Sequence, residues 1–204
     1  LTFTHTTAGI PALDFALFTD PRGALDVSGT ADLGNTRKLV FTALPSGFQP
    51  KFLVGDGKFG AYNATNGVVA ATSTALTASV VGSASTDYSA ASVTLGSTGS
   101  LKTLKYSGGT ILTVTGSGVT KIGGVVSAGA VHVLTGGTSY QSLVANDPLY
   151  FFVNANQLTV SAAISSNGTT PNAVVLGGAG TLSLTGTNTF TGNIVLNSGI
   201  LSYL

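Results

Sequence analysis

The chain contains no cysteine, methionine, tryptophan or glutamate. The missing cysteine excludes disulfides, thiolate nucleophiles and thiolate-bound metals. Every acid is an aspartate, and charged residues are 7% of the chain, against roughly 25% in ordinary globular domains. With a net charge of +1 there is no basic field to hold nucleic acid and no acidic field to hold a cationic partner. Two histidines and no cysteine argue against a zinc site. Long apolar runs are also missing: none reaches the roughly 20 residues that a membrane-spanning helix needs. The longest, "GVVAATSTALTASVVG" from Gly67, is broken by hydroxyls and alternates like a strand. No signal-peptide pattern is visible, and a first residue of Leu1 reads as a processed terminus or a cut inside a longer chain.

What is present is apolar surface, hydroxyls and glycine. The hydrophobic fraction is 43% and Gly numbers 28. Disorder needs low hydrophobicity as well as weak folding signals, so this chain has the means to bury a core. The composition fits strands whose outer faces carry Thr and Ser in place of Lys and Glu.

Strand-like segments run along most of the chain, each bounded by Gly, Asn, Ser or Pro, residues that fix or tolerate turns. They include "RKLVFTA" from Arg37, "KFLVG" from Lys51, "TILTVTG" from Thr110, "AVHVLTG" from Ala130, "LYFFVN" from Leu149 and "TLSLTG" from Thr181. Pro11 to Phe18, "PALDFALF", is the best helical candidate. The corners repeat at solenoid spacing: Gly109 to Gly129 is 20 residues and Gly180 to Gly199 is 19. Alternation puts Leu182 and Leu184 on one face and Thr181, Ser183 and Thr185 on the other, as a solenoid rung requires. The expected fold is therefore an all-β parallel β-helix with rungs of roughly 20 residues. Residues 1–60 hold four of the six prolines, seven of the ten phenylalanines and ten of the fifteen charges. They read as an irregular N-terminal cap or side elaboration, with the solenoid stack over 61–204.

The clearest repeat is "GAGTLSLTGTNTFTGNIVLNSGIL", opening the stretch 178–204. It resembles the autotransporter-associated β-strand repeat, also called the passenger-associated transport repeat. Gly178, Gly180, Thr181, Leu182, Leu184, Thr185, Gly186, Asn188, Thr189, Thr191 and Gly192 fall on that pattern, with Phe190 at the usual Tyr and Asn197, Gly199 and Leu201 at its end. The resemblance implies a right-handed parallel β-helix passenger exported to the bacterial cell surface. It implies no catalytic residue, and the chain lacks the translocating barrel of a full autotransporter.

Candidate chemistry is sparse. Asp14, Asp20, Asp26 and Asp32 recur every six residues and form the one calcium candidate, but the flanking residues do not repeat as calcium-binding β-rolls require. Asp56 and Lys58 sit in "VGDGKFG", which lacks the ending of a phosphate loop and reads as a hairpin or corner. A polysaccharide-active enzyme needs clustered carboxylates, and from residue 88 onward Asp147 is the only acid. His132 lies between Val131 and Val133, which read as inward, so it is expected to face solvent; His5 has no visible partner. Asn63 and Asn167 open glycosylation sequons that chance explains in so Asn- and Thr-rich a chain. In "LYFFVN" Phe151 must face opposite to Tyr150 and Phe152; core packing is the favoured reading of these three, and the alternative is a contact surface for a neighbour or a glycan. At the C-terminus Asn197, Ile200, Leu201, Tyr203 and Leu204 form an apolar, strand-like edge suited to self-association.

These readings lead to a non-enzymatic extracellular stalk or filament segment with no cofactor. Its partners are further repeats or copies of itself, with no nucleic acid and no membrane-spanning segment. The rivals are a glycan-binding adhesin module and a polysaccharide-active β-helix enzyme.

Overall fold

The computed structural model describes residues 25–27, 33–34, 38–41, 47–54, 58–76, 87–90, 93–95, 99–106, 111–171 and 173–204. Among them every regular element is a strand. Pro11 to Phe18 lies outside the described residues.

Three parallel sheets form a β-solenoid. Sheet 1 stacks Val93–Leu95, Ile111–Val114, His132–Gly136, Gln157–Val160, Thr181–Leu184 and Ile200–Tyr203. Sheet 2 stacks Ser100–Leu101, Val119–Ile122, Ser139–Ser142 and Ala163–Ile164. Sheet 3 stacks Thr74–Ala75, Asp87–Ala90, Thr103–Tyr106, Gly124–Ser127, Leu149–Val153, Val174–Gly177 and Ile194–Leu196. From Val93 to Gly177 the chain visits the sheets in that order, rung after rung; from Thr181–Leu184 it goes directly to Ile194–Leu196 in sheet 3 and returns to sheet 1 at Ile200–Tyr203.

Strict register turns the alternation of each strand into columns. In sheet 1, Leu112 pairs with Leu134, Leu134 with Val160, Val160 with Leu184 and Leu184 with Tyr203. In sheet 3, Leu104, Val125, Phe151, Leu176 and Leu196 stand in one line. Most of these side chains are enclosed in a single core running along the axis. Burying each aliphatic side chain stabilises the fold by about 1.5–3 kcal/mol, so every rung contributes to the same dry column. The outer face of sheet 1 carries hydroxyls instead: Thr113 pairs with Thr94 and with Thr135, whose hydroxyl accepts from Ser161 Oγ at 2.7 Å.

The N-terminal region contributes a fourth sheet. Leu25–Val27 pairs in parallel with Gly47–Val54, which pairs antiparallel with Lys58–Asn63, which pairs antiparallel with Gly67–Ala70. This fourth sheet runs past residue 60 to Ala70, and the first described solenoid strand is Thr74–Ala75. The long segment from Gly67 is thus divided between the two layers. One face of the fourth sheet makes its own small core from Leu39, Phe41, Phe52, Val54, Tyr62 and Val68. The Tyr62 hydroxyl donates to the Phe41 carbonyl at 2.8 Å within it. The opposite face sends Leu53 and Phe59 onto the outside of sheet 3, against Val126, Tyr150, Phe152 and Val175. The fourth sheet therefore lies along the flank of the solenoid.

Candidate functional site

Two places among the described residues stand out, the C-terminal rung and the interior corner around His132.

In the C-terminal rung, Ile194–Leu196 and Ile200–Tyr203 are the last strands of sheets 3 and 1, each paired on one side. Edge strands carry backbone groups that can accept a further strand. Their side chains are also open: Leu196 is 51% exposed, Ile200 61%, Tyr203 53% and Leu204 82%. Leu201 is partly buried against the main core, and Asn197 is exposed while its N–H donates to the Leu176 carbonyl at 2.9 Å. A shallow groove beside this edge is lined by Phe152, Gly177, Ala179, Asn197, Ser198 and Ile200. Gly199 makes the turn between the two strands with φ of 90°, and a Cβ there would stand 2.7 Å from the Gly180 carbonyl oxygen. Only glycine meets both conditions.

The repeat residues at 178–204 have local jobs in this rung. Asn188 Oδ1 accepts from the Ile164 N–H at 2.8 Å, while its Nδ2 donates to the Gly186 carbonyl at 3.0 Å. The side chain thereby satisfies a backbone donor of the rung below. Phe190 packs partly buried against the core, and the Thr191 N–H donates to Ser166 Oγ at 3.1 Å.

Tyr150, Phe151 and Phe152 divide as alternation requires. Phe151 lies in the axial core, and Tyr150 and Phe152 stand on the opposite face of sheet 3. All three are enclosed, at 3%, 1% and 2% exposure: Phe151 by the axial core, and Tyr150 and Phe152 in a cluster with the chain's own Leu53 and Phe59. The neighbour these rings meet is thus the fourth sheet of the same chain.

His132 does not face solvent as its valine neighbours suggest. It is fully enclosed, while Val131 is 51% exposed. The phase of the strand is fixed by register: His132 pairs with Leu158, which pairs with Leu182, and Leu134 lies in the adjoining inward column. The local Val-His-Val pattern is outvoted by the stack. The imidazole lies on the Tyr106 ring with centroids 4.4 Å apart and planes 23° apart. Its Nδ1 is 2.7 Å from Ser127 Oγ, and its Nε2 is buried with no hydrogen-bond partner among the described residues. Burial lowers the imidazole pKa from its ordinary value. The Tyr106 hydroxyl donates to the Val133 carbonyl at 3.0 Å and the Tyr140 hydroxyl to the Thr135 carbonyl at 2.9 Å. Burial holds both phenols well above their ordinary range, and Tyr140 pushes Tyr106 further in that direction. The corner is a neutral polar island inside an aliphatic column. Sequence reasoning missed it for want of the register, although the spacing of His132 from Leu134 matches the inward pairs elsewhere.

The remaining candidates are dispersed. Asp14, Asp20, Asp32 and Asp56 lie outside the described residues, as does His5; Asp26 is on the strand paired with Gly47–Val54. Among the described residues no three His, Cys, Asp or Glu come together to hold a metal. Lys58 opens the second strand of the antiparallel pair that "VGDGKFG" connects. No helix among the described residues is long and apolar enough to cross a membrane. Asn63 Oδ1 accepts from the Asn66 N–H at 2.7 Å, and Asn167 Nδ2 donates to the Ser142 carbonyl at 2.9 Å.

Comparison with protein-family models, with curated proteins and with solved structures finds no match for this chain.

Proposed function

We propose that this chain is a non-enzymatic structural segment of a bacterial cell-surface β-solenoid, a stalk or filament-forming piece. The observation that carries the reading is the register of the stack, whose aliphatic columns run from Leu112 through Leu134, Val160 and Leu184 to Tyr203 and present the same pattern on each successive face. In a solenoid the partner that fits such a face is another rung, because it continues both the backbone ladder and the aliphatic columns. The next rung is supplied either by more of the same chain or by a second copy. The resemblance of residues 178–204 to the autotransporter-associated repeat supports an extracellular setting. The glycan-binding alternative would have to draw on residues other than Tyr150 to Phe152, whose rings are covered.

The test is negative-stain electron microscopy of the purified chain over a concentration series, alongside Ile200→Lys with Tyr203→Lys. Rods that lengthen with concentration, and stay short in the double variant, support end-to-end stacking. Short rods of one length in both proteins would exclude the filament version and leave the stalk segment. Surface location is checked separately by protease treatment of intact producing cells, and a chain protected until lysis would overturn it.

A further inference from the structure

We propose that the His132 corner is an acid-triggered breakpoint in the solenoid: protonating the enclosed imidazole opens the rungs that close over it. Those rungs are the strands Thr103–Tyr106, Gly124–Ser127, His132–Gly136 and Gln157–Val160.

Burial and hydrogen bonding carry the argument. His132 is wholly enclosed, with Tyr106 stacked on one face, Ser127 on Nδ1, Leu158 in register beside it and no hydrogen-bond partner for Nε2 among the described residues. A neutral imidazole fits this corner with one hydrogen bond. An imidazolium has two N–H donors, and whichever tautomer precedes protonation, the second donor has no acceptor here. Where the neutral ring carries its proton on Nε2, protonation also turns Ser127 Oγ from donor into acceptor, and the buried Ser127 hydroxyl hydrogen then needs a new partner. A charge taken out of water is tolerated when an opposite charge faces it. The buried residues described include no Asp, Lys or Arg, and among the described residues the titratable groups facing the corner are Tyr106 and Tyr140, both neutral phenols with their hydroxyls committed to carbonyls. Lys105 and Lys121 alternate with inward Leu104, Tyr106, Thr120 and Ile122 and so stand on the outer face. The relief open to an imidazolium is exposure to water, which requires the rungs to part.

The direction of the pH effect follows from proton counts. The native state holds His132 neutral below the pH at which the unfolded chain protonates it, so between those two values the unfolded state binds more protons. Stability from this site is complete above about pH 6.5 and is lost as pH falls toward the lowered native value. The decisive measurement is the unfolding equilibrium of the full chain from pH 8 to 4.5, with His5→Gln in every protein so that one imidazole remains. The wild-type corner predicts a folding constant that falls by up to about tenfold per pH unit below about pH 6.5. His132→Leu, which continues the Leu158 and Leu182 column, removes that slope. Hydrogen exchange at pH 5 then shows lost protection in the four strands named above in the wild-type corner and retained protection in the variant. Equal slopes in the two proteins would overturn the proposal. If the variant does not fold, an NMR titration of the His132 ring in the folded chain decides: midpoint at or above 6.5 refutes the breakpoint, and a depressed midpoint coinciding with lost protection in those strands supports it.

Discussion

Phe59 and Phe152 meet edge to face with ring centroids 5.8 Å apart and planes 72° apart. This contact joins the antiparallel fourth sheet to the outside of sheet 3, and both rings are almost fully enclosed. It makes the flanking layer part of the same folded body and explains why Tyr150 and Phe152 can stand on an outer face without meeting water.

Phe59→Ala should therefore uncouple the layers. The loss of a buried ring costs about 3 kcal/mol or more, and an edge-to-face pair contributes roughly 0.5–1.5 kcal/mol of that. Hydrogen exchange should show strands Gly47–Val54, Lys58–Asn63 and Gly67–Ala70 losing protection before Thr181–Leu184. Uniform loss along the whole chain would instead mean that the two layers unfold as one unit.

Gly124 supplies the floor on which Phe59 rests. A Cβ there would stand 2.6 Å from Phe59 Cζ and 2.9 Å from Cε1. Gly124→Ala should destabilise by about 1–3 kcal/mol through overpacking. Combining it with Phe59→Leu should cost less than the sum of the two single changes, with a coupling of about 1 kcal/mol in a urea-denaturation cycle. Strict additivity would show that the ring is free to move aside.

Asn188 ties the last rung to the one below through the Ile164 N–H. Asn188→Ala leaves that donor without its acceptor and should cost about 1–2 kcal/mol. Asn188→Asp keeps the acceptor while losing the donation to Gly186, so it should fall between wild type and alanine. Amide exchange at Ile164 reads the two outcomes directly, fast in Ala and slow in Asp.

The repeat unit and the inward aliphatics were legible because they depend on local rules. Leu182 and Leu184 alternate with hydroxyls, and glycine marks the corners, so a solenoid rung can be read within "TLSLTG" alone. His132 was not legible in the same way. Its two valine neighbours give the wrong phase, and the right one comes from Leu158 and Leu182 on later rungs, paired across a register that the local segment does not contain. The fate of Tyr150 and Phe152 was half legible: alternation separates them from Phe151, but the cover over them comes from Leu53 and Phe59, nearly a hundred residues earlier. The edge at Ile200 to Leu204 was visible as an apolar strand, and its openness depends on what stands next to it in space.

The columns of sheet 1 hold their register across rungs of unequal length. From Leu112 to Leu134 the chain spends 22 residues, from Leu134 to Val160 it spends 26, and from Leu184 to Tyr203 only 19. The surplus is placed at corners such as the exposed turn around Val144. Length in this architecture is counted in storeys, and a storey can grow a balcony without shifting the staircase. Corners are therefore the natural sites for grafting foreign peptide, and over evolutionary time insertions there can erase any fixed sequence period while the stack endures.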